Sequence, residues 1–144
     1  MEVTSAVEID RPAAEVFDYL ANMENNPAWQ NGQVSCTWTS EPPVRLGSTY
    51  DQEAKFLGKS IVSSFSVTEF EPGHLIRIVS TGGTMDIDVT RTVTELAATR
   101  CRADAIVRGD APGPMKLLGP LLPTLVRSSV NKDYQRLKAL LGSR

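Results

Sequence analysis

The sequence predicts an α+β domain in which a seven-stranded antiparallel sheet wraps around one long C-terminal helix. Three observations carry this. An alternation of period two runs almost unbroken from Val34 to Val107, which is the signature of half-buried strands. Turn-forming pairs such as Pro42-Pro43, Pro72-Gly73, Gly82-Gly83 and Ala97-Ala98 divide that stretch into strands joined by hairpins. After it, the period changes to 3.6. Hairpin-linked strands make an antiparallel sheet with one wet and one buried face, and only the terminal helix is long enough to cover the latter. The nearest competing architecture is a cone-shaped α+β fold that begins with helices and ends in strands.

The helix is read over Pro120 to Leu141, with a lead-in from Pro112. Pro120 suits the first helical position and Pro123 falls in the first turn, where amides have no carbonyl partner inside the helix. Gly142 provides the left-handed stop. At 1.5 Å per residue the rod is about 33 Å long, enough to cross a small domain. Leu122, Val126, Val130, Tyr134, Leu137 and Leu141 form its apolar stripe, with Arg127, Ser128, Asn131, Lys132, Gln135 and Lys138 opposite. Asp133 and Ser129 fall within or beside the stripe.

At the other end of the chain, Val3, Ser5, Val7 and Ile9 alternate with Glu2, Thr4, Ala6 and Glu8, giving the first strand. Asp10-Arg11-Pro12 opens a short helix whose buried face is Val16, Phe17 and Leu20. A second short helical piece covers Ala21 to Asn25 and ends at Asn26-Pro27, since a residue before proline avoids the helical region. Six strands follow. Val34, Cys36 and Trp38 share a face, as do Ser48, Tyr50, Gln52, Ala54 and Phe56. Ile61, Ser63, Phe65 and Val67 point inward on the next strand, and a further strand covers Leu75 to Ser80. Met85, Ile87, Val89, Arg91 and Val93 face inward on the penultimate strand, and Cys101, Ala103, Ala105 and Val107 on the last. This inner surface mixes small and polar groups with large ones, the composition of a sheet that leaves space under a helix.

With 144 residues the chain, 1–144, reads as a single domain with a real core. A net charge of −2 provides no electrostatic reason to bind nucleic acid or an anionic membrane. No apolar run approaches the roughly 20 residues that span a bilayer, so membrane insertion is not expected. Met1-Glu2-Val3-Thr4 lacks the features of a signal peptide. Two scattered cysteines, Cys36 and Cys101, suit a reducing cytoplasm, the expected location.

The chain resembles the START-like, helix-grip superfamily (SRPBCC), in particular its polyketide cyclase/dehydrase and lipid-transfer branch. The resemblance rests on the run from Val7 to Leu20, on Pro27-Ala28-Trp29, and on Leu46-Gly47-Ser48-Thr49. Glu69-Phe70-Glu71-Pro72-Gly73-His74-Leu75 and the terminal Leu137-Lys138-Ala139-Leu140-Leu141 complete it, so that it spans essentially the whole chain. It implies a helix-grip fold with a deep cavity between sheet and helix that holds an apolar ligand. Some members cyclise or dehydrate polyketides, while many bind or carry lipids, hormones or other small hydrophobes. These motifs are strand, cap and turn elements, and no residue set among them singles out cyclase chemistry.

Read for chemistry, the single histidine, His74, follows a turn, lacks an orienting partner and reads as solvated. One histidine and two scattered cysteines make no metal site, and no cofactor is expected. Gly82-Gly83 joins strands and opens no helix, so it is not a phosphate loop. Asp86 and Asp88 share an outward strand face, which argues against a paired acid/base role.

Polar groups on inward faces carry more information. Arg91 must pair with a carboxylate, escape at the strand end, or face a wet cavity. In the last case Arg91 and Gln52 serve as polar anchors for a mostly apolar ligand. The expected ligand site is a cavity bounded by Trp29, Tyr50, Gln52, Phe65, Met85, Ile87, Arg91, Leu122 and Val126. Its strand members follow from the inward register, Trp29 from the mouth formed by the short helices, and the last two from the helix stripe. The expected function is binding, or transport, of a small hydrophobic molecule such as a lipid or polyketide. A cyclase/dehydratase-type enzyme on the same cavity, with Tyr50, Arg91 or Tyr134 as proton donor, and an interaction module with a filled cavity are the alternatives.

Overall fold

A computed structural model describes residues 1–56, 58–83, 86–110 and 119–142 of the chain. The elements run β1 (Glu2–Ile9), α1 (Ala13–Ala21), a 3-10 turn (Met23–Asn25), α2 (Asn26–Trp29) and β2 (Gln33–Trp38). They continue with β3 (Thr49–Phe56), β4 (Lys59–Glu71), β5 (Leu75–Gly83), β6 (Asp86–Ala97), β7 (Arg100–Asp110) and α3 (Leu121–Gly142). The seven strands form one antiparallel sheet in the order β1-β7-β6-β5-β4-β3-β2. This is the helix-grip α+β fold. Since β1 and β2 are opposite edges, the helical segment between them has to cross the end of the sheet.

Alternation along the strands holds: β1 is exposed and buried in strict turn, and β4 buries Ile61, Ser63, Phe65 and Val67. Cys101, Ala103 and Ala105 of β7 are buried against the helix layer. Small residues there let the sheet approach its covering elements closely. On α3, Leu122, Tyr134, Leu137 and Leu141 are buried, Val126 and Val130 are half-buried, and the charged side is exposed. The outer face of the sheet is laced by ion pairs. Arg77 reaches Asp88 at 2.6 Å and Glu69 at 3.0 Å, so Asp88 is engaged in the surface network.

Four local expectations are corrected. Val34 does not share the face of Cys36. A bulge between Gln33 and Ser35 leaves Val34 without a partner on β3, and the side chain is 48% exposed. Pro27 does not end the helical segment. Asn26 adopts helical angles (φ −52°, ψ −43°) and Pro27 sits in the first turn of α2, where its missing amide costs nothing. Gly82-Gly83 is not the turn itself. Both residues belong to β5, paired with Ser64 and Ser63 of β4. Gly83 has φ 124°, and a Cβ there would meet the Val62 carbonyl oxygen at 2.7 Å and Ser63 Oγ at 2.8 Å, so close strand approach requires glycine. Lastly, His74 is engaged rather than merely solvated: its Nδ1 lies 2.8 Å from the Val93 carbonyl oxygen. The lead-in from Pro112, the residue Met85 and the Phe56 side chain lie outside the described residues.

Candidate functional site

Between α3 and the inner face of the sheet lies a cavity of about 190 Å³. Its apolar wall includes Ile61 of β4, Ile87 of β6, and Leu122, Val126 and Val130 of α3. Its polar wall includes Gln52, Ser63, Ser129 and Asp133, and residues 30–33 between α2 and β2 form one rim. Local sequence accounts for the placement. Gln52 and Ser63 are opposite partners on β3 and β4, and both point inward by the period of two. Asp133 follows Val126, Ser129 and Val130 on the same side of α3 at helical spacing.

Four expected site residues thus share one cavity: Gln52, Ile87, Leu122 and Val126. Trp29, Tyr50, Phe65 and Arg91 sit instead in the packed layer beside it, each fully buried. Trp29 does not form an open mouth; its ring meets Tyr134 edge-on at 5.1 Å. Tyr50 stacks on Phe65 at 5.0 Å and meets Trp38 edge-on at 5.4 Å.

Arg91 takes none of the simple exits. It is 3% exposed, and its Nη1 donates to the Leu20 carbonyl at 2.9 Å and to Asn26 Oδ1 at 3.0 Å, with Met23 Sδ at 3.4 Å. Its guanidinium carbon lies 5.0 Å from the centroid of the Trp29 ring, a cation–π contact. These acceptors are all neutral. Nε of Arg91, Nε1 of Trp29 and the hydroxyls of Tyr50, Tyr134 and Ser63 are buried without a hydrogen-bond partner among the described residues. Burial raises the phenol pKa of both tyrosines, with the Arg91 charge opposing the rise. Burial likewise pushes the Cys36 thiol up, opposed by its contact with Asn26 and the Arg91 charge.

Asp133 is the second buried charge. Its Oδ1 accepts the Asn31 amide at 2.9 Å and an Arg136 Nη2–H, while Arg136 Nε donates to the Trp29 carbonyl at 3.0 Å. This clasp ties α3 to the rim of the cavity. Burial raises the Asp133 pKa above its ordinary value, and the Asn31 amide and the Arg136 and Arg91 charges oppose that rise. Asn26 is a residue the period did not flag, since Asn-Pro reads as a turn. Among the described residues there is no group of three or more His, Cys, Asp or Glu placed to hold a metal ion. Nor, among them, is any helix long and apolar enough to cross a membrane. A larger groove, about 610 Å³, lies on the outside between Asn22, Trp38 and the Pro42-Pro43 loop, away from the buried charges.

The architecture has close relatives in shape. A structure from Thermus thermophilus superimposes with a TM-score of 0.84 at 16% identity, covering 99% of this chain and 98% of that one. A START superfamily protein from Mycobacterium smegmatis gives 0.81 at 15% identity, covering 99% and 97%. The Zhui aromatase/cyclase from Streptomyces sp. R1128 gives 0.62 at 15% identity, covering 99% and 89%. At such identities the likeness shows the fold alone. No curated protein matches the chain by sequence. The family model described as polyketide cyclase/dehydrase and lipid transport matches residues 1–142. The chain therefore belongs to the polyketide cyclase/dehydrase and lipid-transport family.

Proposed function

We propose that this protein, as a single ligand-binding domain over residues 1–144, binds a small hydrophobic molecule in the cavity under α3. The observation that carries this reading is the open volume of about 190 Å³ walled by Ile61, Ile87, Leu122, Val126 and Val130. Apolar walls with a few convergent polar groups are the usual design of a small-molecule site. A comparable volume of about 150 Å³ accommodates benzene in an engineered apolar cavity. A ring compound burying about 200 Å² of apolar area would gain about 5 kcal/mol from burial, against which the cost of association is set. The open volume also favours binding over the filled-cavity interaction module.

Enzymatic action of the cyclase/dehydratase type is the second reading, and one observation favours it. Asp133 is a desolvated carboxyl in the cavity wall with a raised pKa, the property a proton donor needs. The two cysteines are free and buried, which fits the cytoplasm as the working compartment.

Native mass spectrometry of the purified protein, followed by NMR titration with small hydrophobes, tests the binding reading. A defined added mass, or saturable shifts at the amides of β3, β4 and α3, supports it. A bare mass with no response to any hydrophobe at millimolar concentration rejects it.

A further inference from the structure

We infer that the polar wall of this cavity selects ligands bearing a neutral hydroxyl, with Asp133 and Ser63 as the specificity-determining residues. The inference rests on the binding reading above and names the ligand class it implies.

The cavity wall holds unused hydrogen-bonding capacity. Ser63 lines the cavity, is buried, and among the described residues its Oγ has no partner. Buried hydroxyls in folded proteins nearly always have one. Gly83, opposite Ser63 across the β4–β5 ladder, carries no Cβ, which would stand 2.8 Å from that oxygen. Asp133 lines the same cavity and spends Oδ1 on Asn31 and Arg136, while among the described residues no donor meets its Oδ2. Gln52 adds to the wall; among the described residues its Oε1 meets a weak thiol contact, Cys36 Sγ at 3.8 Å.

Charge then discriminates between ligand head groups. Arg136 pairs with Asp133 and the Arg91 charge acts on it too, so the carboxylate does not need a ligand ammonium as counterion. The cations that line the cavity, Lys55 and Arg108, are exposed and Arg108 is paired with Glu2 at 3.0 Å, so a ligand carboxylate further in would meet the like-charged Asp133 oxygen with only the neutral donors of Ser63 and Gln52 to offset it. A hydroxyl both donates and accepts: it can donate to Asp133 Oδ2 and accept from Ser63 Oγ or the Gln52 amide. With the apolar wall and the volume, this describes a small ring or short chain carrying an alcohol or phenol.

The test is an NMR titration of the purified full chain with 4-propylphenol, propylbenzene and 4-propylbenzoate, on wild type, Ser63→Ala and Asp133→Asn. The expected result is wild-type preference for the phenol over propylbenzene by about tenfold, the size of one hydrogen bond to a charged acceptor. Asp133→Asn should remove most of that preference and Ser63→Ala part of it, each leaving propylbenzene affinity within about twofold. If Asp133→Asn fails to fold because the clasp is lost, Ser63→Ala decides the matter alone. Equal wild-type affinity for phenol and propylbenzene, tightest binding of the benzoate, or equal loss for all ligands in Ser63→Ala overturns the inference and leaves the cavity reading standing. No binding by any of the three overturns both.

Discussion

Arg91 Nη1 lies 3.0 Å from Asn26 Oδ1, joining the middle of β6 to the first residue of α2 across 65 positions of sequence. The same nitrogen holds the Leu20 carbonyl at the end of α1. A cation in the interior is tolerated only when hydrogen-bonded, and here neutral acceptors and the Trp29 face share that task. The contact also accounts for Asn26 accepting helical angles ahead of Pro27: its side chain is held inside by Arg91 Nη1.

Asn26→Ala should therefore destabilise the protein by about 1.5–3 kcal/mol, the range for losing a hydrogen bond to a charged group. Urea denaturation should show a lower midpoint at unchanged slope. A loss within about 0.5 kcal/mol, the range of an ordinary surface substitution, would show that the Arg91 tether is not a significant anchor.

Two α3 positions should behave oppositely. Leu137 is fully buried, and Leu137→Ala should cost about 2–5 kcal/mol. Val126 is half-buried in the cavity wall, so Val126→Asp leaves its carboxylate hydratable. It should cost under about 1 kcal/mol while weakening ligand binding, whereas a sealed site would cost several. Denaturant midpoints with ligand titrations separate the cases, and a large stability loss at Val126 would mean the wall is packed.

The raised Asp133 pKa has a definite sign in stability. Between the ordinary carboxyl value of 3.8 and the higher folded value, the native state binds more protons than the unfolded chain. Stability from this group is thus present below that window and lost as pH rises through the folded pKa. Relative to Asp133→Asn, the wild type should lose stability as pH is raised from below 3.8. Paired urea titrations across that range check it; a difference that grows with pH in the wild type's favour would reverse the assignment.

Gly32→Ala should damage the cavity rim. Gly32 has φ 87°, and an added Cβ would lie 2.5 Å from the Lys55 carbonyl oxygen, while its own carbonyl accepts the Lys55 amide. Strain and clash together should cost about 2 kcal/mol or more. Thermal melting is the check, and an unchanged Tm would mean that the rim rearranges freely.

The sequence by itself determined the elements and their faces, because strand and helix periods are local properties of the chain. The inward set on β4 and the stripe on α3 are both observed where the alternation puts them. It also carried the family, through the motifs from Val7 to Leu141. Tertiary structure decided which inward residue meets open space. Tyr50 and Gln52 share one face of β3, yet Tyr50 is sealed against Phe65 while Gln52 lines the cavity. The difference depends on where α3 and the 30–33 rim cross the sheet, a long-range relation that no window of sequence contains. Bulging at Val34 and the folding of Arg91 onto Leu20 and Asn26 are of the same kind. Each is settled by partners tens of residues away, because a buried polar group goes wherever its hydrogen bonds can be met.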